Sequence, residues 1–174
     1  MRASLRALLS GAEAPVRLVS ICAGDGRDTL PVVEETGADV TGVLVELDPV
    51  LAGRARSAAP AGIEVRTADA GTTASYADAC PADVFLACGV LGNVTDSDMA
   101  RTVAALPSLL ASGGHVIWTR SGEEAEQVRA ELDRAGFVEV SYVRPDDADF
   151  RVGVHRWPGP TGTPPPDVRM FDFV

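Results

Sequence analysis

The stretch Val16-Arg17-Leu18-Val19-Ser20-Ile21-Cys22-Ala23-Gly24-Asp25-Gly26-Arg27-Asp28-Thr29-Leu30-Pro31-Val32-Val33 decides the fold. Its apolar opening, Val16 to Ile21, reads as a buried strand. Small residues at Cys22 to Gly26 let the chain turn sharply, and glycines there permit positive φ and close approach to a ligand. A helical pattern then runs from Arg27 to Thr36, with Pro31 near its first turn and Gly37 as C-cap. Strand, glycine turn and helix together place unpaired helix N–H groups beside polar ligand atoms.

A second unit follows. Val40 to Val45 is an apolar run that ends on Glu46, twenty residues after Gly26. An acidic residue at the tip of a second strand is placed to accept hydrogen bonds from a ribose diol. Asp48 and Pro49 then suit the N-cap and N1 positions of a helix running to Ala59. The pair Gly24 and Gly26 has no third glycine at Thr29, which disfavours a nicotinamide dinucleotide.

At these residues the chain resembles the class I S-adenosylmethionine-dependent methyltransferases, over roughly Val16 to Trp157. Leu18 to Gly26 matches the family's glycine-rich first motif and Val45-Glu46-Leu47-Asp48 its acidic second. Ala68-Asp69-Ala70 matches the third, whose aspartate contacts the adenine amino group. Asp83 to Cys88, and Gly113-Gly114 leading into His115 to Trp118, match the fourth and fifth strands. Two positions depart from the pattern. Ser20 stands where the family has Asp or Glu, and Cys22 where it has a first glycine; Asp25 or Asp28 is the substitute carboxylate.

The resemblance implies a three-layer Rossmann-like α/β fold with a mostly parallel seven-stranded sheet in the order 3-2-1-4-5-7-6. It implies S-adenosyl-L-methionine as cofactor, held by Cys22, Ala23, Gly24, Asp25, Gly26, Asp28, Glu46, Leu47, Asp69, Ala70, Cys88 and Gly89. It also implies an N-terminal helical lid, of which this chain shows only a short helix with apolar positions at Leu5, Leu8 and Leu9.

The remaining chain alternates strand and helix, as a parallel sheet covered on both faces requires. Ile63 to Thr67 alternates as a third strand, and Thr72 to Ala79 reads as a short helix. Val84 to Cys88 is a fourth strand. Thr95 and Asp98 form a capping-box pattern for a helix reaching Ala111, with Pro107 late in it; Ser121 and Glu124 form another for Glu123 to Ala135. His115 to Thr119, Phe137 to Val143 and Phe150 to Trp157 complete the strands. The gap Arg144 to Asp149 is too short for a crossover helix, so the last two strands are expected antiparallel. Its acids Asp146, Asp147 and Asp149 read as a solvated loop.

Residues 1–157 therefore form one domain. Residues 158–174 form an extended proline-rich tail whose Met170, Phe171, Phe173 and Val174 are apolar enough to dock on the domain or on a partner subunit of a homodimer.

Ligands in such folds bind at the carboxyl ends of the parallel strands. That rule selects Asn93, Arg120, Ser121 and Arg151 as substrate candidates. No catalytic base stands out, and a sulfonium methyl donor needs little acid–base help. Cys88 reads as a small buried hydrophobe rather than a nucleophile. His115 and His155 are expected at the sheet edge away from the ligand, each on the order of 13–17 Å from the productive end of its strand. Neither is expected to be catalytic.

Composition bounds the rest. The 174 residues carry net charge −10, and all fifteen basic residues are arginine, scattered along the chain. A nucleic-acid binder needs a basic stripe, so a small-molecule substrate is expected. No apolar run approaches the ~20 residues of a membrane span. The first eleven residues are too short in apolar stretch for a signal peptide. Cytoplasmic location follows, and Cys22, Cys80 and Cys88 are expected as free thiols. Their spacing, with only two histidines, suits no metal. A non-catalytic cofactor-binding or scaffold module with a degenerate first motif is the alternative to an enzyme.

Overall fold

A computed structural model describes residues 1–122, 124–146 and 149–174. A single seven-stranded sheet has the order β3-β2-β1-β4-β5-β7-β6. The strands are β1 Val16–Ile21, β2 Val40–Glu46, β3 Ile63–Thr67, β4 Ala82–Ala87, β5 Leu110–Ser121, β6 Val138–Val143 and β7 Phe150–Arg156. The first five are parallel, and β7 runs antiparallel to both β5 and β6. The expected strand order and direction are thus observed.

Central β1 is buried at five of its six positions, which is why it reads as mostly apolar rather than as an alternation. One face packs α1 (Arg2–Ser10), α2 (Leu30–Thr36) and α3 (Pro49–Ala58) on Leu18, Leu44, Val84, Leu86 and Ile117. Helix α1 turns Leu5 and Leu9, one helical turn apart, into that layer. The other face packs α4 (Asp96–Leu109) and α5 (Ala125–Arg134) on Val19, Phe85, Val116 and Trp118.

Helix ends follow the sequence chemistry. Asp48 accepts from the N–H groups of Val50 and Leu51, with Pro49 at the first helical position. Thr95 accepts from the Asp98 N–H and caps α4. Gly37 ends α2 at φ 61°, where a side chain is strained.

Several boundaries differ from expectation. Helix α2 begins at Leu30, not Arg27, because Pro31 tolerates only a first-turn position. The segment Thr72–Ala79 is two 3-10 turns, Thr73–Ser75 and Ala77–Ala79. Tyr76 separates them at φ −156°, drawn into the core against Phe85. Helix α4 stops at Leu109 because β5 starts directly at Leu110 and includes Gly113 and Gly114. Ser121 is the last residue of β5, paired with Phe150, so it caps no helix; Glu124 at the N-cap of α5 makes no side-chain cap bond. Glu123 and Asp147 lie outside the described residues.

The segment after β7 returns to the domain. Met170 and Phe171 are buried in the α4-side layer, while Phe173 and Val174 stay exposed. Arg169 and Phe173 form single bridges with Thr72 and Val94. Met170 N–H donates to the Gly71 carbonyl, and a Cβ on Gly71 would stand 2.4 Å from the Phe171 carbonyl oxygen. Met170 and Phe171 share this layer with Tyr76, which lies between the two short turns that connect β3 to β4.

Candidate functional site

The turn after β1 is built from left-handed residues: Cys22 at φ 53°, Gly24 at 60° and Gly26 at 74°. A cysteine in this region is under backbone strain that a glycine escapes. The turn is tied to β2, where Ala23 N–H donates to the Val45 carbonyl. Glu46 then braces both neighbours. Its Oε2 accepts from Gly24 N–H at 2.7 Å and its Oε1 from Asp48 N–H at 2.9 Å. One carboxylate thus joins the first turn to the start of α3.

Beside this turn lies a cavity of about 860 Å³ at the carboxyl edge of β1, β4 and β5. Cys22, Ala23, Gly24, Asp25 and Asp28 form one wall, and Cys88 and Gly89 the floor beyond β4. Met1 to Ser4, at the start of α1, close a second side, so the short N-terminal helix does contribute to the cover. Val143, Arg144, Pro145 and Phe150 close the third, from the ends of β6 and β7.

The two carboxylates expected to substitute at Ser20 are both engaged. Asp25 makes a two-pronged pair with Arg27, at 2.8 Å and 2.5 Å, and this guanidinium lowers its pKa to about 2. Asp28 pairs with Arg2 at 2.9 Å in an exposed bridge. Burial pushes the Cys22 and Cys88 thiols up to about 12, so neither is a thiolate nucleophile at neutral pH.

Other candidates stand outside the cavity wall. Gly26 in the turn and Glu46 at the end of β2 do not line it, and Leu47 is 66% exposed just past β2. Asp69 accepts from Gly71 N–H at 2.8 Å and from Arg169 at 2.5 Å, and the Arg169 guanidinium lowers its pKa. Ala70 is buried in the core. Asn93 spends its amide N–H on the Gly89 carbonyl, closing the turn after β4. Arg120 and Arg151 face each other across β5 and β7, and Ser121 ends β5.

What lines the cavity instead is the residue next door in each strand, Thr119 and Phe150. Thr119 Oγ1 accepts from Gly89 N–H at 2.9 Å and fixes the floor. Strand alternation could have found it, since a step of one residue reverses the face. Arg169 had no local signal, for its partner lies one hundred residues earlier.

Neither histidine lines the cavity. His115 lies five residues into β5 rather than at its start, and His155 is the penultimate residue of β7. Trp118 Nε1–H donates to His155 Nδ1 at 3.2 Å.

Among the described residues, no group of three or more His, Cys, Asp or Glu could hold a metal ion. No described helix is long and apolar enough to cross a membrane.

The sheet order, the left-handed turn after β1 and the acidic end of β2 define the class I methyltransferase fold, and solved structures share it. The N-methyltransferase NodS from Bradyrhizobium japonicum WM9 aligns with TM-score 0.69 and 21% identity over 91% of this chain and 94% of its own. A second NodS structure, in complex with S-adenosyl-L-homocysteine, aligns equally well over 86% of its chain. The [4+2]-cyclase SpnF also aligns, with TM-score 0.64 and 15% identity over 91% of this chain and 80% of its own. No protein-family model and no curated protein matches the sequence.

Proposed function

We propose that this protein is an S-adenosylmethionine-dependent methyltransferase acting on a small molecule. The observation that carries the reading is Glu46, whose carboxylate is held by Gly24 N–H and Asp48 N–H at the end of β2 beside a cavity of about 860 Å³. That volume lies in the range of small-molecule sites, roughly 300–1,000 Å³. Two bonds leave the carboxylate with further lone pairs for the hydroxyls of a ribose.

The left-handed turn after β1 and the unused lone pairs of Glu46 support the cofactor. Glu46 would hold the ribose, Asp69 the adenine amino group, and Ala23 to Gly26 would let the backbone approach. When bound, the cofactor supplies an activated methyl group. The protein orients the acceptor against it and excludes water, with α1 on one side and the β6–β7 ends on the other. Neither cavity thiol serves as nucleophile, in keeping with direct transfer.

A second reading, a cofactor-binding module without catalysis, is favoured by one feature. Ser20 offers no carboxylate, and Asp25 and Asp28 are both committed to arginines. The fold alone does not choose, since a cyclase carries it as well. Calorimetry with S-adenosylmethionine, S-adenosylhomocysteine and NAD tests the shared premise. Methyl transfer from labelled cofactor to a panel of small amines, phenols and carboxylic acids then separates the two readings. Binding of NAD alone would overturn both.

A further inference from the structure

Arg120 of β5 and Arg151 of β7 are direct cross-strand partners. Opposed residues in an antiparallel pair project on the same face with Cβ atoms about 4.5–5.5 Å apart, and like charges there are destabilising. This chain has a net charge of −10, yet no carboxylate among the described residues pairs with either arginine at ion-pair distance. Arg120 is anchored by one bond, from Nη1–H to the Leu91 carbonyl at 2.6 Å. Its Nε and the Nη1 of Arg151 are buried and have no hydrogen-bond partner among the described residues. Buried donors of a charged group are costly when left unpaired.

We propose that Arg120 and Arg151 form an oxyanion-binding site, for a carboxylate or a phosphate group. Two guanidiniums present up to ten N–H donors in planar forks that match the oxygens of either group. An oxyanion between them cancels the cross-strand repulsion and satisfies the orphaned donors together. The place suits a ligand. Both arginines are partly exposed, and the Arg120 stem packs along exposed Gly92 in the turn after β4, where a Cβ would stand 3.4 Å from its Cγ. The adjacent residues Thr119 and Phe150 line the cavity on the other face of the sheet, so an anion held here sits across the sheet from that cavity. The site stands on this geometry and needs no cofactor.

The test uses the whole protein, without cofactor, titrated with inorganic phosphate and separately with succinate at low salt. Side-chain Nε–H resonances of the arginines are followed by nitrogen-15 NMR. A saturable shift of the Arg120 Nε–H is expected, and the probe that saturates first identifies phosphate or carboxylate chemistry. Arg151→Gln is expected to weaken binding roughly tenfold, the loss of one charge-assisted contact. Arg151→Lys keeps the charge without the fork and is expected to fall between, which separates recognition from simple charge attraction. A shift that never saturates, or equal affinity in wild type and Arg151→Gln, would overturn the site. The backbone amide spectrum verifies the fold of each variant. Because these probes report without S-adenosylhomocysteine, failure here and failure of the cofactor reading are separate results.

Discussion

Arg169, near the end of the chain, reaches back to Asp69 at the end of β3, Nη1 to Oδ2 at 2.5 Å. Asp69 is the residue the resemblance assigns to the adenine amino group. Its other oxygen takes Gly71 N–H, so the carboxylate is clamped from two sides with lone pairs to spare. Arg169 also pairs with Asp172, which keeps the guanidinium in place.

Arg169→Ala is therefore expected to weaken S-adenosylhomocysteine roughly three- to tenfold by loosening Asp69. Arg169→Lys is expected to restore part of the loss. Stability is expected to change little, since both partners are about half exposed and solvent screens the pair. Calorimetry and urea unfolding measure the two quantities separately. Tighter cofactor binding in Arg169→Ala would mean that the arginine competes with adenine.

Glu46→Ala removes the carboxylate that joins Gly24 N–H to Asp48 N–H. Loss of charge-assisted bonds to a ribose, about 1.5–3 kcal/mol, is expected to weaken S-adenosylhomocysteine roughly ten- to hundredfold. Glu46→Gln keeps one acceptor and is expected to fall between. Unchanged affinity in a folded Glu46→Ala protein would sink the ribose assignment.

Cys22→Gly relieves a left-handed cysteine at φ 53°. Relief of about 1–3 kcal/mol of backbone strain is opposed by the larger unfolded-state freedom of glycine and by lost packing of the half-buried thiol. The expected result is unchanged or slightly higher stability with cofactor affinity kept or improved. Destabilisation by more than about 2 kcal/mol would show that packing outweighs strain at this turn. Loss of methyl transfer at full cofactor affinity would instead give the thiol a chemical role.

Acid sensitivity is expected from His155. Burial lowers its pKa below the usual 6.5, against a smaller raising effect of Glu139; Arg129 lowers it further and Asp133 raises it. Its Nδ1 must stay unprotonated to accept from Trp118 Nε1–H. The folded state therefore disfavours the proton that the unfolded chain takes up. This contribution to stability is complete above about pH 6.5 and is lost as pH falls toward the folded-state pKa, by at most about 1.4 kcal/mol per pH unit. His115 is lowered too, by burial and then Arg156, and adds in the same direction. Urea unfolding between neutral pH and the carboxylate range checks it. His155→Gln keeps an acceptor for Trp118 and is expected to remove the His155 share of the slope.

The sheet was readable because its signals are local. Val16 to Ile21 is apolar at four of six positions and buried at five since β1 is covered on both faces, and Asp48-Pro49 declares a helix start in two residues. The turn at Cys22 to Gly26 and the acid at Glu46 were legible for the same reason. The cavity's far wall was not. Thr119 rather than Arg120 faces it, a one-residue matter of register that depends on where β5 begins. Residue Leu110 starts that strand straight out of α4, and glycines at 113 and 114 mask the fact. The clamp of Arg169 on Asp69 and the burial of Tyr76 are tertiary facts with no periodicity to announce them.

The central claim is that the β1 turn and Glu46 hold an S-adenosyl group. Backbone amide NMR of the nitrogen-15-labelled protein, titrated with S-adenosylhomocysteine, tests it most directly. The account predicts saturable shifts at Gly24, Gly26 and Gly89, with Gly113 at the opposite edge unmoved. No saturable shift, or shifts clustered away from the turn after β1, would contradict it.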